Sequence, residues 1–216
     1  MLPFVIKGGD VKQPMHIVNL FPIPVGSSQI CEALNKKILA FMNSNKIELR
    51  VDFLGNYMST DEKFLDNDEL SDVKQALTDS VNEYFKKVVN PNKDTKIYIT
   101  ISWVNTIENG KSHHMHYHPN SIISGVLYLD TCEEDTISFI NPQKDMFGNF
   151  NFSEHSNIPG EWMFPATTGK LLIFPSTLEH YVAPRPNTCK GRRISLSFNT
   201  WIEGTIGSGR KDTLHL

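Results

Sequence analysis

The hydrophobic period of this chain changes near residue 95, and that change limits the folds open to it. Upstream, apolar residues recur at helical spacing. Ile30, Leu34, Ile38 and Phe41 mark one helix; Leu70, Val73, Leu77, Val81, Phe85 and Val88 mark a stronger one. Ser27 or Ser28 is placed to cap the first. Asp66 with Glu69 resembles a capping box for the second, and Asn90-Pro91-Asn92 stops it. Downstream the period is two: Ile97, Ile99, Ile101 and Trp103 alternate with Tyr98, Thr100, Ser102 and Val104. Further strands are predicted over 124–130, 136–140, 170–174 and 194–201. Gly, Pro and Asn breaks separate them, and no helical pattern does, which argues against a parallel βαβ sheet. Helices first and many short strands after predict an α+β fold, a β-sandwich or barrel with the N-terminal helices packed on one side. A helical part over about 26–90 and a β core over about 95–202 read as one domain spanning 1–216. The Gly- and Ser-containing tail from Gly204 to Leu216 reads as a loose end.

Composition removes several function classes. Apolar residues are 39% and charged residues 21%, ordinary for a globular protein. The formal charge of −3 argues against a nucleic-acid partner. No apolar run approaches the ~18 residues that span a bilayer. The N-terminal stretch lacks the charged start of a secretion signal, so the expected location is cytoplasmic. Cys31, Cys132 and Cys189 are an odd, widely spaced set; they predict neither a disulfide framework nor a CxxC zinc pair, and they fit a reducing compartment.

Four of the eight histidines crowd into His113-His114-Met115-His116-Tyr117-His118. In an extended strand residues i, i+2 and i+4 share a face, so His114, His116 and His118 are expected to point the same way. Two neutral imidazoles at that spacing are a good half of a metal site. His180 is the candidate for the rest: it follows the apolar strand 170–174 and a Pro turn, which would fix its direction. In the last predicted strand Arg193, Ser195, Ser197 and Asn199 share one face and Ile194, Leu196 and Phe198 the other. Turned into a barrel, the polar face makes a pocket in which Arg193 offers a planar two-pronged donor for a carboxylate. The 141–168 stretch carries Phe147, Phe150, Phe152, Trp162 and Phe164, either a lid or wall for substrate or a loop packing its own aromatics.

Together these residues resemble the double-stranded β-helix (jelly roll) of Fe(II)/2-oxoglutarate-dependent dioxygenases. They are most similar to a family of such oxygenases from bacteria and their phages. The resemblance runs from Leu20-Phe-Pro-Ile-Pro24 through Ser102-Trp-Val-Asn105, His116-Tyr-His118-Pro-Asn-Ser, Ser124-Gly-Val-Leu-Tyr128-Leu and Ile140-Asn-Pro142. It then takes in the segment from Gly169 to His180 and closes on Arg193-Ile-Ser-Leu-Ser-Phe-Asn199. It implies Fe(II), the co-substrate 2-oxoglutarate and dioxygen, with hydroxylation of an unidentified substrate as the usual outcome. That substrate is left open among a protein side chain, a peptide and a metabolite, and a homodimer is also left open. The wider superfamily holds iron with His-x-Asp/Glu and a distal His. Carried over, His116 is the first ligand and His180 the distal one. The carboxylate position falls on His118, so either His118 ligates, giving three histidines, or water fills that place. The resemblance makes Arg193 the partner of the distal 2-oxoglutarate carboxylate, with Tyr128, Asn105 and Ser195 as further donors.

Two other readings stay open. Gly110 followed by His116-x-His118, and Gly169 followed by Pro175 and His180, copy parts of a cupin motif. However, the glutamate expected after His118 is replaced by Asn120, Ser121, Ile122 and Ile123. A cupin-like metal enzyme that does not use 2-oxoglutarate is one alternative. A non-enzymatic β-sandwich with a structural or assembly role is the other.

Overall fold

A computed structural model describes residues 21–44, 47–145, 159–207 and 213–216. In chain order the strands and helices are β1 (Gly26–Gln29), α1 (Glu32–Ser44), β2 (Leu49–Val51), β3 (Tyr57–Ser59), α2 (Ser71–Val88), β4 (Lys96–Ile107), β5 (His113–His116), β6 (Ile123–Asp130) and β7 (Thr136–Ile140). They continue with β8 (Glu161–Pro165), β9 (Lys170–Pro175), β10 (His180–Val182), β11 (Arg193–Glu203), β12 (Thr205–Ile206) and β13 (Leu214–His215). Among the described residues three antiparallel sheets result, a large one ordered β1-β9-β6-β11-β4-β3-β2, a small one ordered β5-β10-β7-β8 and a two-stranded pair β12-β13.

Alternation along the central strands sorts side chains into two cores. Leu127 and Leu129 of β6, Leu171 and Ile173 of β9, and Leu196 and Phe198 of β11 join Ile38 and Phe41 of α1 and Leu77, Val81 and Phe85 of α2. The opposite faces of β6 and β9 send Val126, Tyr128, Leu172 and Phe174 to meet Ile137 and Phe139 of β7. The second core therefore lies between the large and the small sheet.

The β4 strand departs from strict alternation. Its register with β11 shifts by one residue where Asn199 pairs with Ile101 and Thr200 with Ile99. The extra residue, Thr100, is a β-bulge, and a one-residue slip exchanges the faces of everything beyond it. Ile97 and Ile99 therefore face the helix-side core, while Trp103, Asn105 and Ile107 face the space between the sheets. The simple pattern predicted one face for Ile97 through Trp103; the bulge splits it.

Several local expectations change. Ser27 and Ser28 lie in β1, paired with Leu172 and Leu171 along the edge of β9, and α1 starts later, at Glu32. Ahead of α2, Asn67 caps a short 3-10 turn, Asp68–Leu70, its Oδ1 accepting from the Glu69 amide at 3.0 Å, and α2 itself starts without a side-chain cap. Asp66 instead pairs with Lys74 at 2.7 Å. At the C-terminal end Asn90 takes φ 51°, and the Val89 and Asn90 amides both donate to Phe85 O, which closes the helix before Pro91. The tail is not simply loose, because Thr205 and Ile206 pair with His215 and Leu214. Cys132 and Cys189, expected to be free thiols, form a disulfide across 57 residues, and Cys31 is free and exposed. Spacing alone hides this pair, since the fold brings the β6–β7 and β10–β11 loops to one end of the sandwich. Among the described residues no helix is long and apolar enough to cross a membrane.

Beside the disulfide sits a buried ion pair that the sequence reading missed. Arg185 Nε donates to Asp135 Oδ1 at 2.9 Å and Nη2 to Oδ2 at 3.2 Å, and both side chains are almost fully enclosed. Arg185 Nη1 also donates to Asn109 Oδ1 and Gly191 O, each at 2.7 Å. Replacing Arg185 with Ala strands Asp135 as a buried charge. The expected loss is about 3–5 kcal/mol of stability, read as a lower urea midpoint. Gly125 is a second test. A Cβ there would stand 2.2 Å from the ring of Phe198, which is fully buried. Gly125→Ala is expected to cost about 1–3 kcal/mol through overpacking, and Gly125→Ala with Phe198→Leu should recover part of it.

Candidate active site

The site is built where the edge of the small sheet faces the interior of the large one. His180 opens β10 and pairs directly with His116 of β5 on one side and Phe139 of β7 on the other. Phe174 and Phe139 pack on the His180 ring, with centroids 4.9 and 5.8 Å away, and fix its plane. His118 lies just past β5, where its amide donates to Ser176 O at 2.9 Å. Its ring meets Trp103 at 5.7 Å. The ring centroids of His116 and His180 are 4.3 Å apart, those of His116 and His118 5.0 Å, and those of His118 and His180 5.1 Å. One nitrogen from each of the three lies within 4.8 Å of the others.

The tautomers are set locally. Nδ1 of His116 is 2.8 Å from His114 O, and Nδ1 of His180 is 2.9 Å from Leu178 O. A carbonyl can only accept, so Nδ1 carries the proton and Nε2 keeps the lone pair a metal needs. Burial, reinforced by the neighbouring imidazoles, pushes His118 down to about 4 and His180 down to about 3. His116 is lowered too, chiefly by burial. All three are therefore neutral at physiological pH, the form that binds metals.

His114 does not join this group. The β5–β10 register slips by one between the His116–His180 pair and the His113–Val182 pair. This second bulge brings His113, which the sequence reading passed over, into the lining of the inter-sheet pocket. His114 is left exposed. Pure alternation could not have found this, because the slip arises from pairing with β10.

The same pocket is lined by Asn105, Arg193, Ser195 and Ser197. Asn105 Nδ2 donates to Ser197 Oγ at 3.2 Å. Arg193 is 3% exposed, yet its Nε has no hydrogen-bond partner and, among the described residues, no carboxylate pairs with it. Its guanidinium carbon sits 5.2 Å from the ring centre of Tyr128. Tyr128 is fully buried, and its hydroxyl is also unpartnered. Burial raises its pKa, and the adjacent guanidinium partly offsets this. A buried cation without a counter-ion is costly. An anionic ligand with several oxygen acceptors answers both orphan groups, and the neutral imidazoles answer the need of a metal, so the residues present fit Fe(II) and 2-oxoglutarate.

Behind the histidines, Ser124 Oγ donates to Asn199 Oδ1 at 2.7 Å and meets Ser176 Oγ at 2.8 Å. Ser176 Oγ in turn donates to Ser121 Oγ at 2.7 Å. These hydroxyls anchor the turn that carries the His118 contact. On the outer side His116 and His118 border a groove of about 530 Å³ whose walls include Val51, Phe53, Met58 and Trp103. Trp162 and Phe164, candidates for a substrate wall, line a different apolar pocket with Ile23, Val25, Phe139 and Leu178, which contains no histidine. Phe147, Phe150 and Phe152 lie outside the described residues.

Residues 101–199 match the family described as "Putative 2OG-Fe(II) oxygenase". No curated protein sequence matches the chain. The fold is similar to a prolyl-4-hydroxylase from Pseudomonas putida, with a TM-score of 0.55 and 15% identity over 82% of this chain and 92% of that one. It is also similar to HygX from Streptomyces hygroscopicus, solved with nickel, 2-oxoglutarate and hygromycin B, with a TM-score of 0.58 and 11% identity over 82% of each chain. A third similar structure is an oxidoreductase of the 2OG-Fe(II) oxygenase family from Burkholderia pseudomallei, with a TM-score of 0.54 and 13% identity over 77% of this chain and 76% of that one. Residues 101–199 thus match a 2OG-Fe(II) oxygenase family, which supports an oxidoreductase dependent on Fe(II), 2-oxoglutarate and dioxygen, and the similar solved structures share the fold.

Proposed function

We propose that the chain hydroxylates an organic substrate at a centre held by His116, His118 and His180, with Arg193 as the anchor of 2-oxoglutarate. One observation carries this reading: a buried guanidinium with no carboxylate partner among the described residues shares a single pocket with three neutral imidazoles. A cupin-like metal site has no use for such a cation.

In this reading His116 and His180 present Nε2, each oriented by the carbonyl that takes its Nδ1 proton. His118 stands where the wider superfamily has a carboxylate and supplies a third nitrogen. Bound Fe(II) supplies the activation of dioxygen that couples decarboxylation of 2-oxoglutarate to oxidation of the substrate. The chain binds, orients and shields the reactants. Arg193 takes the remote carboxylate of 2-oxoglutarate, with charge-assisted hydrogen bonds strengthened by burial. Tyr128, Ser195 and Asn105 are further donors around that co-substrate. Phe174, Ile107 and Val126 keep the pocket dry enough for the pair to be selective. The substrate enters from the outer groove, the side on which His116 and His118 are approached. The α1 and α2 helices act as a support on one side of the large sheet, within one domain.

Four outcomes are expected. Anaerobic addition of Fe(II) and then 2-oxoglutarate to the wild-type chain should give a weak visible metal-to-ligand charge-transfer band, absent from His180→Ala. His118→Ala should weaken Fe(II) binding by roughly 100-fold or more, since loss of a supporting partner alone costs about 10–100-fold. In His118→Asp, binding and the band should persist. Arg193→Ala should raise the 2-oxoglutarate needed for half-maximal band intensity by roughly thirtyfold or more. Equal 2-oxoglutarate binding by wild type and Arg193→Ala would overturn the assignment.

A further inference from the structure

The β5 bulge has a second product. In a regular strand adjacent side chains point to opposite faces. Here the rings of His113 and His114 stack, with centroids 4.9 Å apart and planes 18° from parallel. His113 lies 4.5 Å from His116, and His114 lies 5.0 Å from it. One nitrogen from each of these three also falls within 4.8 Å of the others. His114 is exposed and His113 half-buried, and both border the outer groove with His116 and His118, whereas His180 is buried. The bulge therefore gathers two trios of imidazoles that overlap at His116.

We propose that His113, His114 and His116 form a second, outer site for a divalent transition metal, and that it shares His116 with the inner centre. Three imidazoles suit cobalt, nickel, zinc or copper as well as iron. The sharing makes the two sites exclusive. With its Nδ1 held on His114 O, His116 has one lone pair to give, on Nε2. An ion on the outer trio takes that ligand away and leaves the inner centre with His118 and His180 alone. The outer trio is thus a place where a competing metal blocks iron by taking His116. The blocking role rests on the reading of His116 as an iron ligand; the outer site itself does not.

The test uses the full-length apo chain and Co(II), followed by calorimetry and by cobalt absorption. In His118→Ala/His180→Ala, one Co(II) should still bind saturably, at least about tenfold more weakly than to wild type. Adding His113→Ala and His114→Ala should remove that binding. No Co(II) binding by the inner-site variant, or binding that survives loss of His113 and His114, overturns the outer site. Two tight Co(II) ions on wild type overturn the sharing. If circular dichroism shows that the double variant does not fold, His180→Asn alone is the background, with the same outcomes. The Fe(II)/2-oxoglutarate band of the wild-type chain reports separately on the proposed function. A chain without that band, but with Co(II) binding that depends on His113 and His114, would keep the outer site and lose the oxygenase assignment of the inner one.

Discussion

The backbone ladder between β5 and β10 sets His180 opposite His116, and the rest of the site is arranged around that pair. Antiparallel pairing brings opposite Cα atoms to within about 5.5 Å, so two imidazoles on one face must meet. The β7 strand on the other flank of β10, with Phe139 and Phe174 against the ring, removes the freedom His180 would have at a loop end. His118 is then brought in from beyond the strand by its amide bond to Ser176 O, on a turn tied down by the hydroxyls of Ser121, Ser124 and Ser176. The closeness of the three imidazoles is thus a property of pairing and turn anchoring as much as of the histidines.

Two buried arginines show how the same interior treats charge in opposite ways. Arg185 is enclosed with Asp135 in a two-bond ion pair supported by Asn109 and Gly191, at the end of the sandwich where Cys132 and Cys189 join. That cation is structural, and its charge is cancelled. Arg193, a few residues later on β11, is buried to the same degree and, among the described residues, has no carboxylate against it and an unpartnered Tyr128 hydroxyl beside it. A fold retains such a group where a ligand completes it, since desolvation without compensation is costly.

Much of this was legible beforehand, and the reason is period. Two-residue alternation in 194–201 separated Arg193, Ser195 and Ser197 from Leu196 and Phe198, and the cores divide along that line. Helical spacing located α1 and α2, and of the residues named for them Ile38, Phe41, Val73, Leu77, Val81 and Phe85 are on the buried faces; Ile30 and Leu70 precede the helices, Leu34 is half-buried, Val88 is exposed, and the buried Asn35 and Tyr84 were not named. The short edge strands were not legible. β1, β2 and β3 are too brief to carry a period, and Ser27 and Ser28 look like caps until β9 offers them an edge. The Cys132–Cys189 and Arg185–Asp135 contacts join loops far apart in sequence, and no local pattern records such pairs.

By itself the sequence determined the residue types and their order: two helices, a run of antiparallel strands, a histidine cluster, a distal histidine behind a rigid strand, and an arginine on a polar face. These follow from local chemistry, because propensity and alternation act between near neighbours. Tertiary structure alone decided register. The bulges at Thr100 and within β5 exist only because β11 and β10 pair across them. A slip of one residue exchanges the two faces of a strand. That is why Trp103 and Asn105 face the pocket, why His113 replaces His114 in its lining, and why His116 stands where two trios of imidazoles overlap.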